Sequence, residues 1–338
     1  MKTVEIKEHR LLDLNATIDL IKNGRTLILS GDERVLSKLP AGKWIGGTIP
    51  YFYLKEGPGR LDKEHIFVTD FTDLLEDAKV AVYDANNLNE VCTNGFDNGF
   101  HFMILPALRD IHLSFALHSP DYPNLFANPL LGLIAGADLD EFTKGVLSKT
   151  FDGTTTKSFT DQAVVLHAKL PAHQVARLEI VNVFEPSNEV TLEFLQDGFV
   201  VQDCLINGQK GNLYEFIKEN ELDISYPLVS NYAGASVNVS FQRLDDENRQ
   251  VIFYAPLFAG RKYTTSRKPN DYVQSFSEKA TQALVNEQHV IYNCNCILNY
   301  LYGGLDKQSI GYSGATTFGE VAYQLLNQTF TYLAIDEG

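Results

Sequence analysis

Four short apolar runs in the middle of the chain constrain its fold more than any other feature of the sequence. They are rich in β-branched or aromatic side chains, are separated by turn residues, and cover residues 164–170, 176–184, 189–195 and 199–206. Runs of this length and composition are typical of β-strands. The turn residues at 196–198 predict a hairpin between the last two runs. The middle of the chain is therefore predicted to be rich in strands.

Helical and strand patterns alternate on both sides of this middle segment. In the first half, the periodicity and end signals predict helices at 12–23, 33–39 and 108–118, and strands at 25–30, 65–71 and 79–83. Further along, they predict helices at 213–219 and 271–288, a hairpin of 236–244 with 250–257, and strands at 289–293 and 329–335.

Three prolines interrupt the chain before the strand-rich middle. Pro120, Pro123 and Pro129 disfavour regular structure, so residues 118–136 are predicted to form a long ordered loop. No segment rich in Ser and Gly separates the two halves. We therefore predict an α/β (α+β) protein with two mixed-sheet α/β units packed side by side, covering residues 1–220 and 221–338.

Length and charge limit the class of protein further. The 338 residues suit roughly two domains of about 150 residues each. The formal net charge is −15, which disfavours nucleic acid and anionic membranes as partners. The chain has no apolar stretch long enough to span a membrane, and its charged first residues are not typical of a signal peptide. With only four cysteines, these features predict a cytoplasmic protein with reduced thiols.

Two cysteines stand at the end of a predicted strand. Cys294 and Cys296 lie where open α/β sheets bind ligands, at the carboxyl end of a strand. A thiol there can act as a nucleophile, a metal ligand or a redox sensor, or it can simply fill space in the core. Cys92 and Cys204 lie in unrelated segments, and no histidine pair has metal-ligand spacing. We therefore predict no metal site.

A segment with two glycines follows these cysteines. Gly314 and Gly319 allow the backbone to approach a ligand closely, and exposed backbone N–H groups bind anions. Thr316 and Thr317 add hydroxyl groups, and Glu320 adds a charge that suits an ammonium group. The segment could therefore bind both ends of a zwitterion. The alternative is a connector whose Glu320 caps a helix.

The same segment carries a family resemblance. The pattern Gly314-x-Thr316-x-Phe318-Gly319-Glu320, followed by residues 327–329 (Asn-Gln-Thr), resembles the end of the C-terminal FIST domain, an intracellular signal-transduction sensor domain. In the first half, residues 44–48 (Trp-Ile-Gly-Gly-Thr) resemble the Gly-x-Thr motif of the N-terminal FIST domain. The resemblance implies that residues 1–220 are similar to the N-terminal domain and residues 221–338 to the C-terminal one.

The resemblance also implies a function. We expect a cytoplasmic sensor that binds a small polar, amino-acid-like ligand between its halves and passes a signal to a protein partner. The expected ligand-binding residues are Cys294, Cys296, Gly314, Thr316, Thr317, Gly319 and Glu320.

Three other classes of function stay open at this point. One is an enzyme with Cys294 or Cys296 as nucleophile. Another is a haem-binding sensor with His101, His112 or His118 as axial ligand. The third is a scaffold with no ligand, which the absence of a pocket between the two units would favour. The chain contains no GxGxxG, GxxxxGK[ST] or GxSxG motif, which favours a non-catalytic protein. We therefore assign no catalytic residue and expect no cofactor.

Overall fold

The computed structural model describes residues 10–55, 57–232, 234–286, 290–307 and 312–338. In this part of the chain the predicted class is confirmed, since helices accompany several mixed sheets packed side by side. The α-helices are α1 (Leu14–Lys22), α2 (Glu33–Leu36), α3 (Asp110–His118), α4 (Leu139–Phe142), α5 (Leu213–Glu219), α6 (Tyr272–Asn286) and α7 (Ile297–Tyr302). Over the same residues, no helix has the length and apolar character that crossing a membrane requires.

The strands of the first half are short, and most are buried. They are β1 (Arg10–Leu12), β2 (Leu27–Gly31), β3 (Trp44–Thr48), β4 (Tyr51–Tyr53), β5 (Arg60–Leu61), β6 (Ile66–Asp70), β7 (Asp77–Tyr83), β8 (Gly99–Pro106), β9 (Leu130–Ala135), β10 (Thr150–Asp152), β11 (Lys157–Phe159), β12 (Ala163–Lys169) and β13 (Gln174–Val181).

The remaining strands form hairpins and the carboxyl-terminal sheet strands. They are β14 (Leu192–Glu193), β15 (Gly198–Val201), β16 (Asp203–Ile206), β17 (Gln209–Asn212), β18 (Leu228–Tyr232), β19 (Ala235–Val239), β20 (Phe241–Asp245), β21 (Gln250–Leu257), β22 (Lys262–Thr265), β23 (Val290–Cys296), β24 (Gly314–Thr317), β25 (Glu320–Ala322), β26 (Gln324–Leu326) and β27 (Phe330–Glu337).

These strands form five sheets within the described residues. Three are mixed, with the orders β1-β6-β2-β3-β10-β11 (sheet 1), β26-β25-β9-β8-β12-β7 (sheet 2) and β13-β27-β23-β24-β4-β5 (sheet 3). Two are antiparallel, with the orders β17-β16-β14-β22-β18-β19 (sheet 4) and β15-β21-β20 (sheet 5). Each mixed sheet has one parallel pair among its described pairings, namely β2–β3, β8–β9 and β23–β24.

Each parallel pair belongs to a strand–helix–strand unit, since parallel neighbours need a crossover connection. The crossover helices are α2 in sheet 1, α3 in sheet 2 and α7 in sheet 3. The Gly-x-Thr segments at Gly46 and Gly314 therefore occupy matching places, because β3 and β24 are both the second strand of such a unit.

Strand β9 joins the three mixed sheets. Beyond its end, the Gly136 N–H donates to the carbonyl oxygen of Thr48 at 2.7 Å, and the Thr48 hydroxyl donates to the Gly136 carbonyl at 2.6 Å. On its other side, the Phe318 N–H donates to the Ile134 carbonyl at 3.0 Å. A Cβ atom at Gly136 would lie 1.9 Å from the Phe318 ring, so only glycine fits there.

A hydrophobic core lies between the three mixed sheets. One hydrophobic cluster contains Ile45 from sheet 1, Phe102 and Leu133 from sheet 2, and Ile291 and Leu333 from sheet 3. All five side chains are almost fully buried. Burying an apolar side chain of this size contributes roughly 1.5–3 kcal/mol, so this cluster is a major source of the attraction between the sheets.

Most predicted helices and strands are confirmed. Helix α5 has the predicted bounds, and α1, α3 and α6 lie within a few residues of theirs. The predicted hairpin of 236–244 with 250–257 forms only in part, because β20 pairs with β21, whereas the residues before it form β19 and pair with β18 in sheet 4. The last two residues of the predicted helix 271–288 and the first residue of the predicted strand 289–293 lie outside the described residues.

Two predictions were wrong. The segment 118–136 is not only a loop, because it contains β9, a fully buried strand that begins directly after Pro129. The prolines flank this strand and do not interrupt it. The hairpin predicted at 196–198 does not form, since β14 pairs with β16 and β22, whereas β15 pairs with β21 in another sheet.

Strands from both predicted domains share sheets. Four of the five sheets in the described part of the chain combine strands from before and after residue 220; sheet 1 is built from the first segment alone. In sheet 2, for example, β25 pairs with β9 across almost 200 residues of sequence. The division into 1–220 and 221–338 stays a prediction, and the hydrogen-bonded structure is continuous across it.

A chain of buried polar rings crosses sheet 2. His101 and His167 face each other in register, and their Nδ1 atoms are 2.8 Å apart. The Nε2 atom of His167 is 2.8 Å from the hydroxyl of Tyr83 on β7. Burial lowers the pKa of His101 to about 4. Burial also lowers the pKa of His167, and the nearby His101 and Lys79 lower it further, to about 3. Both rings are therefore neutral at neutral pH.

The two neutral rings predict sensitivity to mild acid. The unfolded chain binds protons at the ordinary pKa of 6.5, whereas the folded protein resists them until about pH 4 or below. The free energy of unfolding should therefore fall as the pH drops below about 6.5, by up to about 1.4 kcal/mol per pH unit for each histidine. Urea unfolding at several pH values measures this slope. In His167→Gln the change of the free energy of unfolding with pH should become smaller by up to about 1.4 kcal/mol per pH unit, because one fewer proton is bound on unfolding. The control variant His173→Gln changes an exposed histidine and should keep the slope of the parent protein. Equal slopes in all three proteins would contradict the prediction.

Candidate functional site

The predicted site residues meet at the carboxyl end of the parallel pair β23–β24. The crossover through α7 sets the register, which places Asn295 beside Thr316 and Cys296 beside Thr317. Gly314 pairs with Tyr53 of β4 at the start of β24. The structure therefore brings the two predicted segments together on adjacent strands, as the sequence indicates.

Thr317 and Gly319 shape the turn that follows β24. The Thr317 hydroxyl donates to the Gly319 carbonyl at 2.8 Å and is 3.3 Å from the Asn295 carbonyl. Gly319 has a φ of +137°, which disfavours other residues. Its carbonyl also accepts from the Ile134 N–H at 3.0 Å. These two residues therefore fasten the turn to β9.

Glu320 lies at the centre of the site and is fully buried. It begins β25 and pairs with Leu133 and Leu326, so the alternative that it caps a helix is wrong. Its Oε1 accepts from the Thr329 hydroxyl at 3.0 Å. This bond favours the ionised form, but burial dominates and raises the pKa of Glu320 well above its ordinary value. Burial therefore favours the neutral carboxylic acid over the anion that the sequence suggested.

Asparagines that the sequence did not single out complete the cluster. The Asn299 amide donates to Asn295 Oδ1 at 2.8 Å and to the Thr329 carbonyl at 3.0 Å. The hydroxyl of Tyr272 on α6 donates to Asn299 Oδ1. Both asparagines are fully buried. No sequence signal identified them, because Asn295 lies on β23 and Asn299 on α7, and only the fold brings the two side chains together.

Three buried polar atoms of this cluster have no hydrogen-bond partner among the described residues. They are Asn295 Nδ2, Thr316 Oγ1 and Glu320 Oε2. Unpartnered buried polar groups are rare in native proteins, because each costs about 1–3 kcal/mol. We call Asn295, Thr316 and Glu320 the polar cluster below.

The Asn-Gln-Thr segment connects the polar cluster to the antiparallel sheets. Asn327 Oδ1 accepts from the Ser240 N–H at 3.0 Å, and Gln328 Oε1 accepts from the Ser240 hydroxyl at 2.6 Å. Gln328 also donates to the Ser225 carbonyl at 3.0 Å. Thr329 binds Glu320, as described above. The segment therefore has a structural explanation: it ties the chain around β20 to the polar cluster.

The two cysteines are unsuited to nucleophilic chemistry. Cys294 Sγ lies 3.2 Å from the Thr331 hydroxyl, and burial together with nearby Glu320 raises the pKa of Cys294 to about 12. The same causes raise the pKa of Cys296 well above its ordinary value. A thiol needs a lowered pKa to react at neutral pH. Both cysteines therefore act as small core residues in the structure.

The site is enclosed. All seven predicted residues are buried, and none of them lines any of four cavities that described residues form near Asp32, Ala116, Phe194 and Tyr226. The predicted pocket between the halves stays a prediction. Within the described residues, no group of three or more His, Cys, Asp or Glu side chains is arranged to bind a metal ion.

The structure also shows the surroundings of the three histidines that the sequence offered as haem ligands. His101 contacts His167, His112 accepts from the Leu108 N–H at 3.0 Å, and His118 Nδ1 is 2.9 Å from the Ser114 carbonyl. None of the three lines any of the four cavities. Haem binding stays a prediction without a supporting observation.

Fold and site together define a mixed α/β protein with an enclosed polar cluster at one strand–helix–strand unit. Over residues 12–336 the chain matches the model of a family described as Family of unknown function (DUF6976), and it belongs to that family. No curated protein and no solved structure matches it. The resemblance to FIST domains stays a prediction.

Adjacent threonines provide a first test of the geometry. Thr317→Val removes two hydrogen bonds and should lower the free energy of unfolding by about 1–3 kcal/mol. Thr316→Val replaces an unpartnered hydroxyl by a methyl group of the same shape, so it should leave stability unchanged or raise it by about 1 kcal/mol. Chemical unfolding of both variants measures the difference. Equal destabilisation would mean that Thr316 has a structural partner.

Thiol labelling provides a second test. With a pKa of about 12, Cys294 should have a thiolate fraction roughly a thousandfold below that of a free cysteine, and burial slows it further. We expect Cys294 and Cys296 to resist iodoacetamide in the folded protein and to react after unfolding, as mapped by mass spectrometry. Ser158→Cys places an exposed thiol in the same chain as the control. Labelling of Cys294 as fast as this control would contradict the structure.

Proposed function

We propose that this protein is a small-ligand sensor and that the polar cluster contacts the ligand. The observation that carries the proposal is that Asn295, Thr316 and Glu320 each have a buried polar atom without a hydrogen-bond partner among the described residues, and that Asn295 and Thr316 pair on adjacent strands. Such atoms gain most from a polar partner, because the low dielectric around them strengthens each hydrogen bond.

The chemistry of the cluster favours an oxygen acceptor on the ligand. A neutral Glu320 can donate a proton through Oε2, the Asn295 amide donates through Nδ2, and the Thr316 hydroxyl donates as well. Three donors suit a carboxylate or carbonyl oxygen. This supports an amino-acid-like ligand whose carboxyl group, not its ammonium group, meets Glu320.

The hydrogen bonds around the cluster support a signalling role. Thr329 bonds to Glu320, and the neighbouring Gln328 bonds to Ser240 and Ser225. A ligand that shifts the Glu320 side chain would therefore change the hydrogen bonds that reach the region around β20. We propose that this region passes the signal to a protein partner in the cytoplasm, as the resemblance to FIST domains implies.

Burial of the cluster determines how binding proceeds. The three side chains are fully buried, so a ligand must enter through local opening of the fold. Binding should therefore be slow compared with diffusion, and it should raise the melting temperature by favouring the closed, liganded state.

The test is a melting-temperature screen with the twenty amino acids, acetate and acetamide as probes. We expect at least one probe to stabilise the parent protein and to bind about fivefold or more weakly to Thr316→Val. Thr150→Val, in sheet 1, alters a buried threonine whose hydroxyl bonds to the Gln162 carbonyl, so it should lower stability without changing probe affinity.

The pH dependence of probe affinity distinguishes binding of a carboxyl group at Glu320 from binding of an ammonium group. Because the neutral form of Glu320 donates, affinity should fall as the pH rises through its raised pKa, and Glu320→Gln should remove that dependence. Affinity that rises with pH would instead indicate an ammonium group at Glu320. If no probe stabilises the parent and no small molecule accompanies the purified protein in native mass spectrometry, the proposal fails.

A further inference from the structure

A cavity of about 370 Å³ lies at the end of sheet 4, and none of its lining residues belongs to the polar cluster. Its walls come from the segment before β14, the connection between α5 and β18, the start of β20 and the chain that follows β22. This volume is within the range of small-molecule sites, which is about 300–1,000 Å³.

Two consecutive cations stand at this cavity. Arg267 and Lys268 are both exposed, and neither forms an ion pair with any residue in the described ranges. The chain has 28 basic residues against 43 acidic ones, so an adjacent pair of cations without carboxylate partners needs an explanation. Lys268 Nζ lies 5.6 Å from the centre of the Tyr226 ring, which also lines the cavity.

Hydroxyl groups lie beside these cations. Ser266 Oγ is buried and has no hydrogen-bond partner among the residues that the structure describes. The Ser187 hydroxyl is 2.8 Å from that of Thr265, and both residues line the same cavity. Cations together with hydroxyl donors are the groups that bind carboxylates and phosphates in proteins.

Two carboxylates limit the charge of an occupant. Asp223 and Glu189 also line the cavity and are exposed. Asp223 accepts from the N–H and the hydroxyl of Ser225 at 3.0 and 2.6 Å. Their negative charges oppose a multiply charged anion, so a single carboxylate fits better than a phosphate.

The remaining walls are apolar. Leu222, Pro227 and the buried Phe241 face the cavity along with the Tyr226 ring. Apolar and aromatic walls beside polar and charged groups suit a ligand that has a flat apolar body and a charged end.

We propose that this cavity is a second ligand site, which binds a small carboxylate with an aromatic or otherwise flat apolar body. Arg267 and Lys268 attract the carboxylate, and the Ser266 hydroxyl donates to it. The apolar body packs against Tyr226 and Phe241. The proposal is independent of the polar cluster, so either can fail while the other stands.

Fluorine NMR titration tests the proposal with three probes. We expect 4-fluorophenylacetate to bind saturably, and the neutral 4-fluorophenylacetamide to bind about tenfold more weakly, because it lacks the charge-assisted hydrogen bonds. 4-Fluorophenyl phosphate should bind more weakly than the carboxylate. Absence of saturable carboxylate binding, equal binding of carboxylate and amide, or tighter binding of the phosphate would each overturn the proposal.

Variants locate the binding. In Arg267→Gln with Lys268→Gln, carboxylate affinity should fall about tenfold, to the level of the amide, and Ser266→Ala should weaken it about fivefold. Lys144→Gln removes an exposed lysine elsewhere, has no effect on the cavity, and should bind as the parent does. The two cations are exposed, so the double variant should keep the parent's melting temperature. Unchanged carboxylate affinity in the double variant would overturn the site.

Discussion

The close approach of Phe318 to Gly136 is the contact on which the rest of the structure depends. It allows the turn after β24 to pair with β9, while the same glycine exchanges hydrogen bonds with Thr48. The three strand–helix–strand units are thereby held around one strand. Because every backbone group buried there needs a partner, the three mixed sheets have little freedom to shift relative to one another. The position of Glu320, two residues after Phe318, follows from this arrangement.

Local patterns were sufficient for the fold class and for most elements. Helix α5 has strong local signals and forms as predicted, and so does the part of the predicted hairpin in which β20 pairs with β21. Strand β9 could not be recognised in this way, since its buried apolar residues lack alternation and its flanking prolines suggested a loop. The pairing of β15 with β21 instead of β14 is a long-range choice, which turn residues alone cannot reveal.

The sequence was sufficient to predict which residues of the two segments lie together, but not how burial affects their charges. The sequence placed Thr316 and Glu320 beside the end of the cysteine-containing strand, because glycines and a strand end are local features. It could not show that β9 and α7 enclose them, and enclosure is what raises the pKa of Glu320. The amides of Asn295 and Asn299 became recognisable only when the strand register placed them beside Thr316 and Thr329. A polar cluster of this kind gains little stability from its own members, which is the usual compromise at sites that interact with other molecules.

The sharing of sheets between the two segments affects how the chain acquires its structure during synthesis. Strands β8 and β9 leave the ribosome long before β25, and β4 long before β24, yet each becomes part of a complete sheet only with these late partners. Pairings at such sequence separations slow folding, because the loop that closes them loses much conformational entropy. The nascent chain therefore carries unpaired strand edges for most of its translation, which makes this period the one in which association with chaperones matters most.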